Sequence, residues 1–461
     1  MTQASEKRCL NIFYMFSQPR QNTSSKANML DTIAEKILSN GLKVICLKKN
    51  DAPIIAAQIW YKTGSVNERD GIRGISHFIE HMMFRGSSRY KAQEHAQRIN
   101  DIGGHSNAFT AEDVTAFINA VPRDYLEMAL EMEADRMAGL TFNADILETE
   151  RKVIIEEYHT YMNNPVTKAF LEFRQSLFAG HAYGVSPLGI LEDLHTFTRQ
   201  DCCDYHDAWY APDNAVAVIV GDFDTEERIF ELVDKHFGAL SKKTAGEAHE
   251  RLKVHTPQGL TRMKRRVEFD VPLLILGYPA PESANQDALP LELVQMIASQ
   301  GESSRLNLEL VRKRSLAVMA GGMNHYLRLA GISLFFSIFT PDVSVGKLEK
   351  AMLDQIERIT DEGITDLEMK KIKNTTLTNR TFELYSAEHL CQRIGFAEVV
   401  EGNYHSWVRR LESLQKVSIE NLIDVAGKYW DPSHCQVLHL KPKKASPLLY
   451  AMGLGRRLFK K

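Results

Sequence analysis

A chain of 461 residues, 44% hydrophobic and 25% charged, reads as a soluble globular protein of two or three domains and excludes a disordered or fibrous one. Its 56 basic and 59 acidic residues are mixed along the chain for a formal charge of -3, which excludes the basic footprint of a nucleic-acid binder. No run reaches the roughly 18 apolar residues that a membrane-spanning helix needs, and six cysteines without CxxC or framework spacing read as reduced thiols.

Residues 1–28 read as a loosely ordered leader, in which Lys7 and Arg8 precede the short apolar run "CLNIFYMF". A cytoplasmic location is expected, with periplasmic export as the alternative if this segment acts as a signal peptide. In "AEKILSNGLKVICLKKNDAPIIAAQIWYKTGS" the turn signals Asn40-Gly41 and Asn50-Asp51-Ala52-Pro53 separate two apolar runs, predicting two strands of one antiparallel sheet. "GISHFIEHMMFRG" at 74–86 predicts a helix, and "EHAQRINDIGG" a second one capped by Gly103-Gly104. "HSNAFTAEDVTAFINAV" is extended and half-buried, "RDYLEMALEMEADRMAG" is an amphipathic helix ending at Gly139, and another helix runs from Ala144 to Met162. "NAVAVIVGDF" at 214–223 predicts a short buried strand.

Polar residues without an apolar period make 241–260 the linker, between a domain at 29–240 and one at 261–445. The second domain echoes the first. "FRGSSRYKAQEHAQRINDIGGHSNAFTAEDVTAFINAVPRD" and "SQGESSRLNLELVRKRSLAVMAGGMNHYLRLAGISLFFSIFTPD" both pass from Ser-Ser-Arg through a helix and a Gly-Gly turn to a strand. The predicted fold class is therefore α+β, with two copies of one domain, the second lacking the histidine pair. Residues 446–461 form a basic tail expected to be solvated.

On the helix at 74–86, His77, Glu80 and His81 fall within an arc of roughly 100°, while Ile75, Phe78, Ile79 and Met82 mark a buried helix. Buried ionisable groups cost several kcal/mol unless paired or bound to a metal. Two imidazoles one turn apart beside a carboxylate fit a zinc site that needs a third protein ligand. On the helix at 144–162, Glu150 and Glu157 fall in the apolar arc with Leu147, Val153, Ile154 and Tyr161, whereas Glu156 falls on the polar side with Lys152. A self-satisfied His–Glu network is the alternative to a metal.

"HFIEH" at 77–81 followed by "ERKVIIEE" at 150–157 resembles the pitrilysin family of zinc metallopeptidases, which includes insulin-degrading enzyme and mitochondrial processing peptidase. The resemblance covers about residues 30–445. It implies two homologous α/β-sandwich domains, each a mostly antiparallel sheet packed with helices, with two chains closing like a clamshell around a chamber. It implies one zinc per chain held by His77, His81 and Glu157, Glu80 as general base in peptide hydrolysis, and Glu150 orienting a zinc-binding histidine. Asn107, Ala108, Phe109 and Thr110 would line a substrate-binding edge strand. Active members pair an arginine and a tyrosine within Leu-Arg-Glu-x-x-Gly-Leu-Ala-Tyr. Here "VRKRSLAVMAGG" places Arg312 at the arginine and Val318 or Met319 at the tyrosine, so a homologous partner chain is expected to supply the Arg/Tyr pair, with Tyr326 as a substitute hydroxyl in a homodimer. A non-catalytic or weakly active scaffold subunit is the alternative reading.

Overall fold

The computed structural model describes residues 32–243 and 259–444. The expected leader and tail, Cys9 and residues 244–258 of the expected linker lie outside the described residues. The first half runs β1 (Ala34–Ile37), β2 (Lys43–Lys48), β3 (Ile54–Tyr61), α1 (Ile75–Met82), α2 (Glu94–Asp101), β4 (His105–Thr110), β5 (Thr115–Pro122) and α3 (Leu126–Gly139). It continues with α4 (Ala144–Met162), α5 (Pro165–Leu177), α6 (Leu191–Thr196), α7 (Arg199–Trp209), β6 (Ala215–Gly221) and α8 (Glu226–Phe237). The second half runs β7 (Thr261–Val267), β8 (Leu273–Ala280), α9 (Ala288–Ser299), a π-helical segment (Asn307–Lys313), β9 (Met319–Tyr326), β10 (Gly331–Ile338) and α10 (Val345–Asp361). It ends with α11 (Asp366–Glu383), α12 (Ala387–Val399), α13 (His405–Ser413), α14 (Ile419–Tyr429) and β11 (Gln436–Pro442).

The strands form two sheets, ordered β1-β2-β6-β3-β5-β4 and β7-β11-β8-β10-β9. From β3 and β8 onward the two halves repeat one order of elements, so the fold is α+β with two related domains. The first apolar stretch holds three strands rather than the two expected. β1 and β2 pair as a hairpin across Asn40-Gly41, but β2 and β3 are not neighbours. The wholly buried β6 lies between them, parallel to β2 and antiparallel to β3. Its all-apolar sequence seeks the sheet centre, where both faces are covered.

The second Gly-Gly also departs from expectation. Gly103 adopts φ 77 at the turn into β4, as a C-terminal helix stop should. Gly321-Gly322 instead lies inside β9, where a Cβ on Gly322 would sit 2.2 Å from Gln295 Nε2 of α9. That close approach of strand to helix is what the missing side chain permits.

Each sheet is covered on one face by its own helices and on the other by a helix from the opposite half. α12 lays Ala387, Leu390, Cys391 and Ile394 on Ala56, Trp60, Val216 and Val218 of the first sheet. α5 lays Ala169, Phe173 and Leu177 on Ile275, Leu334 and Leu438 of the second. Glycines allow both contacts: a Cβ on Gly395 would stand 2.3 Å from the Trp60 indole, and one on Gly277 would stand 3.0 Å from Phe173. Cys391 Sγ donates to Val218 O at 3.1 Å, and Ser176 Oγ to Gln436 Oε1 at 2.6 Å, so polar links accompany the apolar ones.

The expected helices α1 and α4 position the charged groups. Gly74, at φ 101, starts α1 where any Cβ would meet Leu194 and Gly189, and Ile75, Phe78, Ile79 and Met82 are fully buried. Burial of each such side chain is worth roughly 1.5–3 kcal/mol, enough to fix a helix of eight residues. α4 begins where the Asn143 side chain accepts from Asp145 N and Ile146 N.

Candidate metal centre

α1 and α4 pack together and bring His77, His81 and Glu157 into one cluster, with one donor atom from each within 4.8 Å of the others. His77 Nε2 and His81 Nε2 lie 3.8 and 3.6 Å from Glu157 Oε2, and the imidazoles meet edge to face at 4.7 Å. Two tetrahedral ligands about 2.0–2.1 Å from a zinc ion stand about 3.3 Å apart, so a zinc-sized gap separates these atoms. Burial, and then the neighbouring His81, pushes the His77 imidazole down to about 3. That ring is therefore neutral, the form that ligates a metal. The residues present fit a zinc ion.

The helical-wheel assignments hold for the carboxylates: Glu150 is buried, Glu157 turns toward the histidines and Glu156 is exposed with Lys152. Val153 and Tyr161, expected on the apolar arc, are 45% and 49% exposed. They lie on the outer side of a helix whose inner stripe is narrower than the wheel suggested.

His81 Nδ1 donates to Glu150 Oε1 at 2.9 Å, leaving Nε2 for the cluster. Glu150 Oε1 also accepts from Arg85 Nη2 at 3.1 Å, and Arg85 Nε stands 2.5 Å from Oε2. Burial would raise the Glu150 carboxyl, but His81 and Arg85 outweigh it and hold it below the usual carboxylate range. Burial likewise works against a charged His81, yet Glu150, Glu80 and Glu157 together raise its pKa. Arg85 belongs to no motif that the sequence alone displays.

Glu80 lies between the histidines on α1, and its Oε2 accepts from Thr110 Oγ1 at 2.7 Å. Burial raises its pKa, the Thr110 bond and His81 opposing. Thr110 ends β4, and β4 is an outer strand of the first sheet. Strand alternation divides the four residues expected along this edge. Ala108 packs with the core under α1 and Thr110 bonds Glu80, whereas Phe109 packs on the α12 face, edge to face with Trp60 at 5.6 Å. Asn107 shares the side of Phe109, is exposed, and accepts the Ala108 N–H through its own Oδ1. The four residues therefore do not share one face toward the metal ligands.

Arg312 lies half exposed on the π-helical segment and ion-pairs with Glu302. Ser315 adopts φ 49, the left-handed conformation that glycine takes at least cost, which marks it as the glycine of the Leu-Arg-Glu-x-x-Gly-Leu-Ala-Tyr pattern. In that register the tyrosine position is Val318 and the arginine position, four residues before the glycine, is Val311. Arg312 falls on the glutamate position, which corrects the expected assignment. Tyr326, the expected substitute, donates its hydroxyl to Ala288 O at 2.9 Å and accepts from Asn324 Nδ2 at 2.8 Å.

In the second domain α9 and α11 take the places of α1 and α4 in the order of elements. There Arg380 Nη2 pairs with Glu292 Oε2 at 3.1 Å, so a salt bridge joins the helices where the first domain gathers two histidines and a carboxylate.

Residues 43–186 match the family described as "Insulinase (Peptidase family M16)", and residues 196–376 match "Peptidase M16 inactive domain". The chain is 28% identical over 411 residues to the zinc protease PqqE of Helicobacter pylori, covering 88% of this chain and 92% of that one. It is 25% identical over 399 residues to the uncharacterized zinc protease YmxG of Bacillus subtilis, covering 87% and 96%. Among solved structures, a protease from Helicobacter pylori superposes with a TM-score of 0.84 at 26% identity, covering 89% of this chain and 100% of that one. A peptidase M16 inactive domain from Pseudomonas fluorescens superposes with a TM-score of 0.80 at 18% identity, covering 90% and 99%, and shows the shared fold.

Proposed function

Because the chain belongs to the M16 (insulinase) family of peptidases, we propose that it is a zinc-dependent endopeptidase acting on peptides or unfolded segments. The observation that carries this reading is the convergence of His77, His81 and Glu157 beside a buried Glu80 that touches the outer strand β4. A bound zinc supplies Lewis acidity toward a water molecule and the scissile carbonyl. His77, His81 and Glu157 would hold the ion, and the Glu150 carboxylate keeps the His81 proton on Nδ1, leaving Nε2 free to face the cluster. Glu80 takes the proton of the attacking water and returns it to the leaving amine, and its burial supports that role by bringing its pKa closer to neutrality. The edge of β4, which has no strand partner among the described residues, accepts an extended peptide by main-chain hydrogen bonds.

Val311 and Val318 offer no hydrogen bond to the developing oxyanion, and loss of one such donor costs about 100–1000-fold in rate. The chain therefore works with a homologous partner that brings the Arg/Tyr pair and closes a chamber around the substrate. Metal analysis and a peptide-cleavage assay of the wild type and Glu80→Gln, each alone and with a homologous partner chain, test both parts. About one zinc per chain, with cleavage abolished and metal retained in Glu80→Gln, is the expected result. Metal-free protein that cleaves nothing with its partner would instead favour the scaffold reading, and full activity of the lone chain would refute the need for a partner.

A further inference from the structure

We propose that Arg85 is a positioning residue of the metal centre, acting through Glu150 on His81; the inference rests on the zinc reading above. Arg85 lies one helical turn beyond His81, where its N–H donates to Met82 O at 2.8 Å before Gly86 turns the chain away at φ 118. From there the guanidinium meets Glu150 side-on: Nε stands 2.5 Å from Oε2 and Nη2 donates to Oε1 at 3.1 Å. The Glu150 side chain is 2% exposed, so solvent does not share in holding it.

A carboxylate that accepts only one imidazole N–H keeps its freedom to turn about its last torsion, and the imidazole turns with it. The Arg85 guanidinium limits that freedom: Nη2 donates to Oε1 while Nε packs against Oε2 as an ion-pair contact, so both oxygens are held and the carboxylate plane is restrained. With the plane restrained, Oε1 presents one lone-pair direction to His81 Nδ1 at 2.9 Å, and the opposite ring nitrogen is left 3.6 Å from Glu157 Oε2. His77 differs: its Nδ1 is buried with no hydrogen-bond partner among the described residues, so no carboxylate orients its ring from that side. The orientation of one of the two histidines is therefore set by a chain of three side chains, of which Arg85 is the outermost. Its charge also offsets that of Glu150, so the buried carboxylate remains an acceptor beside a cation rather than an excess anion.

The test is zinc affinity, measured by chelator competition on the full chain, for wild type, Arg85→Gln, Arg85→Lys, Glu150→Gln and the double variant Arg85→Gln/Glu150→Gln. Thermal melting of each metal-free protein serves as a control for folding. Arg85→Gln is expected to weaken zinc binding about 10–100-fold, the range typical of partners that orient a ligand, in protein that still folds although its metal-free melting point falls with the loss of the Glu150 pair. Arg85→Lys should recover only part of the loss, because a compact ammonium cannot lie against both carboxylate oxygens as the planar guanidinium does. In the Glu150→Gln background the Arg85→Gln change should cost less than about threefold, since its route to His81 is already broken. An unchanged zinc affinity in Arg85→Gln, or an equal loss in both backgrounds, overturns the role of Arg85 while leaving the zinc reading intact. Wild-type protein that binds no zinc overturns both.

Discussion

Thr110 Oγ1 donates a 2.7 Å hydrogen bond to Glu80 Oε2, so the last residue of the outer strand β4 touches the proposed proton carrier. Thr110→Val keeps the shape and removes the donor. The bond opposes the burial that raises the Glu80 pKa, so its loss is expected to move the acidic limb of the kcat–pH profile for peptide cleavage to higher pH and to lower kcat along that limb, while bound zinc stays at one per chain. An unchanged profile would show that the bond only anchors the strand.

Removal of metal should be visible in stability as well as in activity. A ligand at a hundred times its Kd stabilises the folded state by about 2.7 kcal/mol. Chelation is therefore expected to lower the melting temperature by a few degrees and re-addition of zinc to restore it. In Glu157→Ala, where a ligand from α4 is gone, added zinc should shift melting far less. Equal shifts in both proteins would place the bound ion elsewhere.

Glu68 caps α1 in place of Gly74, which has no side chain: its carboxylate accepts from Gly74 N at 2.8 Å and Ser76 N at 2.9 Å. Burial pushes its pKa up to about 7 from 4.5, the backbone bonds opposing. A folded-state pKa above the unfolded one means that the contribution is complete below pH 4.5 and is lost as pH rises toward 7. The shift corresponds to roughly 3 kcal/mol. Glu68→Gln, which keeps one acceptor and cannot ionise, should flatten the fall in unfolding free energy between pH 5 and 7.5. Parallel pH curves for the two proteins would refute the buried titration.

Gly395→Ala should destabilise the protein although alanine is the better helix former by about 1 kcal/mol. The new methyl would stand 2.3 Å from the Trp60 ring, which is wholly buried beneath α12. Overpacking of this kind costs typically 1–3 kcal/mol. Lower melting with altered tryptophan fluorescence is the expected outcome, and a rise in melting temperature would contradict the packing described.

Local periodicity carried the sequence reading as far as local forces reach. α4 was legible from Ala144 to Met162, and with it the inward turn of Glu150 and Glu157, because an apolar stripe at 3.6-residue spacing needs no knowledge of the rest of the chain. The insertion of β6 between β2 and β3 was not legible, since that pairing joins residues about 170 apart and depends on which central strand is most apolar. The sequence places Thr110 and Asn107 on one strand, but which of them reaches Glu80 depends on the strand's register against α1. Arg85 looked like an ordinary basic residue after a helix, and only the packing of α4 against α1 gives it a carboxylate. The histidine spacing pointed to a candidate metal site, whereas the contacts that orient the His81 ring depend on tertiary packing.

The reciprocal covering of the sheets by α12 and α5 has a consequence for how the chain is partitioned. A peptide chain severed between residues 243 and 259 would yield one fragment with Trp60 and Val218 bare and another with Ile275 and Leu438 bare. Each fragment carries the missing lid of the other. The molecule is thus built as an obligate heterodimer whose subunits happen to be covalently joined, and the two fragments expressed together should recombine into one cooperatively melting particle, while either alone should aggregate.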